Sequence, residues 1–326
     1  MEEVKSGFFA IDRMGLAPLD TPIQELKFVR EMFPEGPRVF IKRDDFIGPM
    51  VWGNKLRKLE YTLAEARRQG ADTLITTGGI QSNHARTTAQ VALQEGFNPI
   101  LVLNGERPVN PGGNYLINEK LGVDIHLVPD RLDRWPKMLE IVDQLKTEGK
   151  KPFLIPLGAS DQYGTLGFVN AAAEVKTQEN ELGIEFDHII HASSSGGTQA
   201  GLILGSKIFN LKARIIGMSA DSTYAELSES IHAAADPVIE RLGLVYQIVP
   251  DDIHVETGYI GDGYGIPTEA SIETESLLAR KAGILVDHTY SGKAFSGLLD
   301  YIAQNQFNES EHILFWHTGG TIALFS

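Results

Sequence analysis

The chain has 326 residues, more than one small domain usually holds, so we expect one large domain or two coupled ones. Its formal net charge of −14 and its lack of clustered Lys and Arg disfavour nucleic acid and anionic membrane surfaces as partners. Because it contains no cysteine, disulfides, Cys-zinc sites and thiol nucleophiles are also excluded. We expect a cytoplasmic protein, since residues 1–13 lack the apolar run of a signal peptide and no stretch resembles a membrane span.

Short β-branched runs alternate with helical patterns along the chain, as in a parallel sheet with crossover helices. The predicted strands cover 73–77, 100–103, 123–128, 153–156, 188–192, 213–219, 285–288 and 313–317. The predicted helices cover 82–95, 115–121, 136–148, 198–210, 223–242 and 268–282, and a further helix starts at Gly292. The pattern predicts an α/β fold that is doubly wound rather than a barrel, with segment 158–167 as the passage between two lobes.

The first candidate for chemistry is Lys55, in segment 53–60. Apolar residues with helical spacing follow Gly53 and Asn54, which suit a helix start, so Lys55 is predicted in the first helical turn. The partly positive field there lowers the pKa of a lysine and favours the neutral amine that a Schiff-base lysine needs. A solvated basic helix face is the alternative interpretation.

A strand, a glycine turn and a polar helix start follow one another in segment 76–84. Ser82, Asn83 and His84 lie where backbone N–H groups and hydroxyls bind a substrate carboxylate, and Asn83 is also placed to reach a cofactor hydroxyl. An ordinary N-cap at Ser82 is the alternative. A hydrolase that uses Ser82 and His84 is disfavoured, because the two side chains diverge and no Gly-x-Ser-x-Gly turn occurs.

Two more glycine turns follow predicted strands. The first opens a helix with backbone donors and hydroxyls that suit a phosphate monoester, and it contains Ser195, Gly196, Gly197 and Thr198. The second, 317–320, lies at the carboxyl end of the last strand, where Thr318 is placed to contact a ring nitrogen. Neither turn is a Walker loop or a dinucleotide fingerprint, and ordinary sheet turns are the alternative.

Tyr264 and Tyr290 lie in glycine-containing loops. Such a tyrosine is useful in proton transfer if a nearby cation lowers its pKa, and simple packing of the ring is the alternative. The histidines show no spacing typical of a metal site, so no metal is expected. We interpret His84, His191 and His317 as polar groups at strand ends or in loops.

Together and in this order, the motifs resemble the D-cysteine desulfhydrase and 1-aminocyclopropane-1-carboxylate (ACC) deaminase family of tryptophan-synthase-β-like pyridoxal 5'-phosphate (PLP) enzymes. The resemblance covers nearly the whole chain, and its motifs are 21–23, 41–45, 53–60, 81–84, 195–198, 290–294 and 317–320. Each motif is weak alone, but their shared order is specific. The resemblance implies a large lobe of residues 1–55 plus 168–326, a small lobe of 56–167 that closes over PLP, and a homodimer.

The resemblance also implies roles for individual residues. Lys55 would carry PLP as a Schiff base, and Asn83 would hold the ring hydroxyl. The phosphate would be bound by Lys58, Ser195, Gly196, Gly197 and Thr198. Thr318 would face the pyridine nitrogen, and the substrate would meet Ser82, Asn83, His84, Tyr264 and Tyr290.

Two residues depart from the family pattern. The ACC deaminases carry an acidic residue directly after the second tyrosine, where this chain has Ser291. A neutral hydroxyl near the ring nitrogen makes a weaker electron sink, which favours β-elimination of a good leaving group over opening of a cyclopropane. Trp52 stands where small glycines are more usual, and we expect it to reshape the substrate pocket.

The expected activity is α,β-elimination with PLP, either on D-cysteine with release of sulfide or on L-cysteate with release of sulfite. Lys55 would take the α-proton, or Tyr290 would take it from the other face. Three alternatives are an ACC deaminase, a non-catalytic amino-acid-binding module and a small-molecule kinase. A mere binding module needs no Schiff-base lysine, and the chain has no Walker signature for a kinase.

Overall fold

The computed structural model describes residues 1–48 and 53–326. The helices are α1 (Glu2–Phe9), α2 (Lys27–Met32), α3 (Lys55–Arg68), α4 (Asn83–Gln94), α5 (Gly113–Leu121), α6 (Arg134–Thr147), α7 (Gly164–Leu182), α8 (Gly197–Phe209), α9 (Tyr224–Leu242), α10 (Glu269–Ala282) and α11 (Ser291–Ala303). The strands are β1 (Ile23–Glu25), β2 (Arg38–Arg43), β3 (Thr73–Gly79), β4 (Asn98–Asn104), β5 (Asp124–Val128), β6 (Pro152–Ile155), β7 (His188–Ser193), β8 (Arg214–Ser219), β9 (His254–Glu256) and β10 (His312–His317). In this described part of the chain, no helix has the length and apolar character to cross a bilayer.

The strands form two sheets. The larger sheet has the order β1-β2-β10-β7-β8-β9, in which β1 is antiparallel to β2 and the other pairs are parallel. The smaller sheet has the order β5-β4-β3-β6 and is parallel throughout. Consecutive parallel strands require crossover connections, which the intervening helices provide. The prediction of an α/β fold with parallel sheets is confirmed.

Helices cover both faces of each sheet. In β10, Leu314 and Trp316 pack with α7, α8 and α9, whereas Ile313 and Phe315 pack with α10 and α11. The same alternation of successive side chains divides β3 between a core with α3 and a core with α6. A strand that is buried on both faces reads as a continuous apolar run, which is why these strands are recognisable in the sequence. The doubly wound prediction is confirmed.

The prediction of a strand over 285–288 is wrong, because these residues form irregular chain that leads into α11. The carboxylate of Asp287 accepts hydrogen bonds from the backbone N–H groups of Thr289, Tyr290 and Ser291, at 2.7 to 3.0 Å. The Asp287 side chain thus fixes the turn that leads directly from this segment into α11. Periodicity alone does not separate so short an apolar segment from a buried loop.

A buried ion network fastens α3 to the larger sheet. Arg57 donates to Asp44 at 2.7 and 2.8 Å and to Glu174 at 2.7 Å, and Lys42 also contacts Glu174. Arg57, Asp44 and Lys42 are completely buried. Because an unpaired buried charge is strongly unfavourable, removing one member destabilises the others. The network therefore holds the start of α3, where Lys55 lies, in one position relative to the sheet.

Candidate active site

One cleft of about 510 Å³ collects most of the predicted site residues. The cleft is lined by Lys55, Ser82, Asn83, His84, Ser195, Gly196, Thr198, Tyr264, Tyr290 and Thr318. Ser82 to His84, Ser195 to Thr198 and Thr318 directly follow the carboxyl ends of β3, β7 and β10, which is where open parallel sheets place their ligands. Lys58 and Gly197 are not part of the lining and lie directly behind it. The structure thus brings together residues that are up to 263 positions apart in the chain (55 to 318).

Lys55 is the first residue of α3, as predicted. Burial lowers the pKa of its amine from 10.5 to about 8, and burial is the sole cause of this shift. Within residues 1–48 and 53–326, no side chain or carbonyl accepts a hydrogen bond from Lys55 Nζ. The direction matches the expectation from the helix field, but the cause is desolvation, which favours the neutral amine.

Gly53 allows the start of α3 to approach the end of β10. Its φ is +64°, and a Cβ at this position would lie 2.6 Å from the carbonyl oxygen of Thr318. The next residue, Asn54, donates its backbone N–H to that same oxygen at 3.1 Å. Any side chain at position 53 would therefore force apart the two segments that place Lys55 and Thr318 in one cleft.

Lys58 lies one turn from Lys55 and connects to the glycine turn through Ser160. Lys58 Nζ donates to the Gly158 carbonyl at 3.0 Å and to Ser160 Oγ at 2.9 Å. Ser160 Oγ in turn lies 2.8 Å from Ser195 Oγ and accepts the backbone N–H of Gly197 at 3.3 Å. Burial, together with the charge of Lys55, holds the pKa of Lys58 well below its ordinary value.

This region is an anion site that the described residues do not neutralise. The buried amine of Lys58, the partly buried amine of Lys55 and the first N–H groups of α8 converge here, and none of the described carboxylates forms an ion pair with either lysine. Gly197 also keeps the turn open, since a Cβ there would lie 2.7 Å from Ser160 Oγ and 2.9 Å from Lys58 Nζ. A phosphate monoester satisfies donors of this kind.

Ser82 is the N-cap of α4, so the alternative interpretation of Ser82 as an N-cap is correct, but the residue also lines the cleft. Its Oγ accepts the backbone N–H of Ala85 at 3.2 Å while still lining the cleft. Gly78 makes room for it, because a Cβ on Gly78 would lie 2.4 Å from Ser82 Oγ. Ser82 therefore offers its hydroxyl hydrogen to a ligand, since the cap uses only an acceptor position.

Asn83 and His84 are each held by neighbouring residues. Asn83 Oδ1 accepts from Asn114 Nδ2 at 2.8 Å, which leaves the Asn83 amide nitrogen to donate into the cleft. His84 Nε2 lies 2.8 Å from Thr76 Oγ1, and the ring also lies against the backbone of Pro156. Burial and the charge of Lys55 keep the pKa of His84 well below its ordinary value, so the ring is neutral.

The two predicted tyrosines form a pair. Tyr290 donates its hydroxyl hydrogen to the Tyr264 hydroxyl at 2.7 Å, and the rings pack edge to face. Although 40% of Tyr264 is exposed, its hydroxyl faces Tyr290 inside the cleft. Burial raises the pKa of Tyr264 to about 12 and that of Tyr290 well above 10. The lowered pKa that would make either tyrosine a base is therefore absent.

Ser291, which we expected to depart from the family pattern, is completely buried. Its Oγ lies 3.4 Å from Thr318 Oγ1, so two neutral hydroxyls meet at this edge of the cleft. The expected role of Trp52 lies outside the described residues.

Several lining residues were missed in the sequence, among them Asn104, Arg131, Arg134, Ser160 and Asp221. A signal did exist for Arg131 and Arg134, because they follow the predicted strand 123–128 and its carboxyl end is a ligand edge. No local pattern marks Ser160, whose role depends on contact with Lys58 and Ser195.

The chain belongs to the pyridoxal-phosphate dependent enzyme family, whose model matches residues 15–319. It is 36% identical over 321 residues to D-cysteine desulfhydrase of Salmonella newport (strain SL254), across 96% of this chain and 95% of that protein. A solved structure described as an ACC deaminase homologue superimposes with a TM-score of 0.91 at 35% identity, across 100% of this chain and 97% of the other. The solved threonine deaminase from T.th. shares the fold, with a TM-score of 0.69 at 16% identity across 98% and 97% of the two chains.

The resemblance to the D-cysteine desulfhydrase and ACC deaminase group is thereby confirmed, and the cofactor is PLP. The cleft fits PLP by its own chemistry. It offers an amine without an acceptor among the described residues at Lys55, an unneutralised anion site beside Ser195, and an amide donor at Asn83. Aldehyde, phosphate and ring hydroxyl are the groups of PLP that such a set binds.

Proposed function

We propose that this enzyme is a carbon–sulfur lyase that eliminates the β-substituent of a small amino acid and releases pyruvate and ammonia. The observation that carries the proposal is the Lys55 amine, which has no acceptor among the described residues and shares one cleft with an anion site and a tyrosine pair. The similarity to D-cysteine desulfhydrase supports a sulfur-containing leaving group.

D-cysteine and L-cysteate are the two candidate substrates. With one water, D-cysteine gives pyruvate, ammonia and hydrogen sulfide, whereas L-cysteate gives pyruvate, ammonia and sulfite. In both cases a proton leaves Cα, and the electron pair of the Cβ–S bond departs with sulfur. When bound, PLP supplies the electron sink for the bonds at Cα.

We assign the transfer of the α-proton to Lys55. A pKa of about 8 leaves part of its amine neutral near pH 7, which suits a general base. Tyr290 is the other candidate, but a pKa well above 10 makes its hydroxyl a donor at that pH. We therefore assign to Tyr290 and Tyr264 the donation of hydrogen bonds to the substrate or to the leaving group.

The remaining residues would bind and orient. The phosphate would be held by Lys58, Ser160, Ser195, Gly196, Gly197 and Thr198. The Asn83 amide would donate to the ring hydroxyl, and Thr318 would contact the ring nitrogen. Ser82, Asn83 and His84 would bind the substrate carboxylate at the start of α4.

ACC deaminase is the alternative reaction, and the structural similarity to the ACC deaminase homologue favours it. Ser291 favours elimination instead, since a neutral hydroxyl leaves the ring nitrogen without a proton donor of carboxylic strength. A non-catalytic amino-acid-binding module is the remaining alternative, but such a module does not need the Lys55 amine for a reaction.

A substrate panel separates these possibilities. The holoenzyme is incubated with both enantiomers of cysteine and cysteate and with ACC, and keto acids are quantified. We expect pyruvate from a sulfur amino acid and no 2-oxobutyrate from ACC. The reverse result identifies a deaminase. Substrate binding without any keto acid identifies a binding module and contradicts the proposal.

The same proposal includes the lobes of 1–55 plus 168–326 and of 56–167, a homodimer and a cytoplasmic location. The division is supported by the smaller sheet, whose strands β3 to β6 all come from 73–155. Light scattering on the purified holoenzyme tests the dimer, because a monomeric mass contradicts it.

A further inference from the structure

Two arginines line the side of the cleft that the proposed roles leave unused. Arg131 lies in the short 3-10 helix Arg131–Asp133, and Arg134 is the first residue of α6. Both follow β5 at the ligand edge of the smaller sheet, and both line the same cleft as Lys55 and Tyr264. A cation at the start of a helix is electrostatically disfavoured, so neither position is explained by helix stability.

The two guanidinium groups are not neutralised by the described part of the chain. Arg134 Nε donates to the Arg131 carbonyl at 2.9 Å, and neither residue forms an ion pair with residues 1–48 or 53–326. The adjacent acid Asp130 caps the 3-10 helix by accepting the backbone N–H of Leu132 at 2.8 Å, and it forms no ion pair with either arginine. Burial and the charge of Arg131 lower the pKa of Arg134, and the nearby Tyr264, Asp130 and Asp221 offset this shift only in part.

Three surface arginines outside the cleft are paired instead. Arg38, Arg68 and Arg107 each bind a carboxylate at 2.6 to 2.9 Å. Asp221 also lines the cleft, and Glu226 lies in the first turn of α9. The first carboxylate acts electrostatically on Arg134 and the second on Arg131, but neither forms an ion pair with them. Unlike Arg38, Arg68 and Arg107, Arg131 and Arg134 line the cleft with guanidinium donors that no described carboxylate binds.

We propose that Arg131 and Arg134 form a subsite for a tetrahedral oxyanion on Cβ of the substrate. The inference rests on the proposed elimination, and it selects sulfonate over thiol among the candidate leaving groups. Two planar guanidinium groups suit the several oxygens of a sulfonate or phosphate, whereas a thiol offers them little. The C–S electron pair leaves on sulfite while Lys55 takes the α-proton, and the arginines hold the added charge on the departing oxygens.

The test compares Arg134→Gln with Arg280→Gln. Arg280 is exposed on α10 and forms no ion pair with the described residues, so its loss changes the net charge equally. For each holoenzyme, kcat/KM is measured with cysteate, with O-phosphoserine and with β-chloroalanine, whose leaving group lacks oxygen. We expect Arg134→Gln to lower kcat/KM for the oxyanion substrates about 10- to 100-fold, the effect of one charged hydrogen bond. The loss with β-chloroalanine should be much smaller.

Binding supplies an independent measurement. Calorimetry with 3-sulfopropanoate, which lacks the amino group and does not react, should show weaker binding to Arg134→Gln than to Arg280→Gln. Equal losses on all three substrates, or unchanged 3-sulfopropanoate binding, overturn the subsite while leaving elimination intact. If β-chloroalanine gives no pyruvate with the unmodified enzyme, the proposed elimination fails, and the binding measurement still decides the subsite.

Discussion

Arg57 and Lys55 lie two residues apart on one helix, and their surroundings are opposite. Arg57 is completely buried and satisfied by Asp44 and Glu174, whereas the Lys55 amine has no acceptor among the described residues. Arg57, which holds the fold together, thus forms ion pairs with two carboxylates. A charge that faces the cleft, such as Lys55 or Arg134, keeps donors unused. Around this cleft, the contrast separates a cation that holds the fold together from cations whose donors are available to a ligand.

The largest expected effect is on Lys55. Lys55→Ala should lower the rate of keto-acid release about 10³-fold or more, the range for removing a general base. It should also abolish the visible absorbance of the bound cofactor. Lys137→Ala, at a partly exposed lysine of α6 that does not line the cleft, serves as the control. Retained activity in Lys55→Ala would contradict the functional role of Lys55, because the unpaired amine would then not be needed for the reaction.

Arg57, the cation that is paired, should matter for the stability of the fold. Arg57→Met leaves Asp44 and Glu174 without their main partner, so we expect the free energy of unfolding to fall by about 3–5 kcal/mol. Urea unfolding of the apoenzyme measures this change. Arg107→Met, which removes an exposed ion pair, should cost less than about 1 kcal/mol. Equal stability of Arg57→Met and the unmodified protein would show that the network does not hold α3.

Tyr290→Phe tests the tyrosine pair. Removing the hydroxyl that donates to Tyr264 should lower kcat/KM about 100-fold if the pair donates to substrate or leaving group. The raised pKa of Tyr290 predicts no loss of activity from tyrosine ionisation as the pH rises from 7 to about 9. Tyr224→Phe, at an exposed position on α9, is the control. An activity that needs a deprotonated tyrosine would rise over that pH range instead.

The smallest effect concerns pH and stability. Lys55 has a pKa of about 8 in the folded apoenzyme and 10.5 ordinarily, so between these values the unfolded chain binds more protons. The unmodified apoenzyme should therefore gain stability relative to Lys55→Met as the pH rises from about 8 to 10.5, with a constant difference below pH 8. Urea unfolding at several pH values measures the difference. A difference that shrinks with rising pH contradicts a desolvated amine.

Sequence patterns predicted the helices and strands that form the doubly wound sheets, because strands buried on both faces leave continuous apolar runs. They missed β1, β2 and β9 at one end or edge of the larger sheet, and they missed α7. The start of α7 is rich in glycine and alanine, and its packing against α8 depends on glycines such as Gly201, where a Cβ would lie 2.5 Å from the Thr165 carbonyl. Such close approach is a tertiary property that helical periodicity does not report.

Within the site, the sequence predicted the residues that belong to motifs and missed those that act through distant contacts. Lys55 and Ser82 follow from helix-start chemistry. Ser160 and Asp287 do not, because Ser160 matters through Lys58 and Ser195, and Asp287 through the backbone at the start of α11. The sign of the tyrosine pKa shifts was also beyond the sequence, since it depends on burial of the two hydroxyls against each other.

The most direct test of the account is chemical mapping of the lysine that holds PLP. The holoenzyme is reduced with borohydride, digested and analysed by mass spectrometry for a pyridoxyl-lysine peptide. We predict a single modified site at Lys55, with Lys58 unmodified. A label at Lys58 or another lysine, or no label in an enzyme that releases pyruvate, contradicts the account.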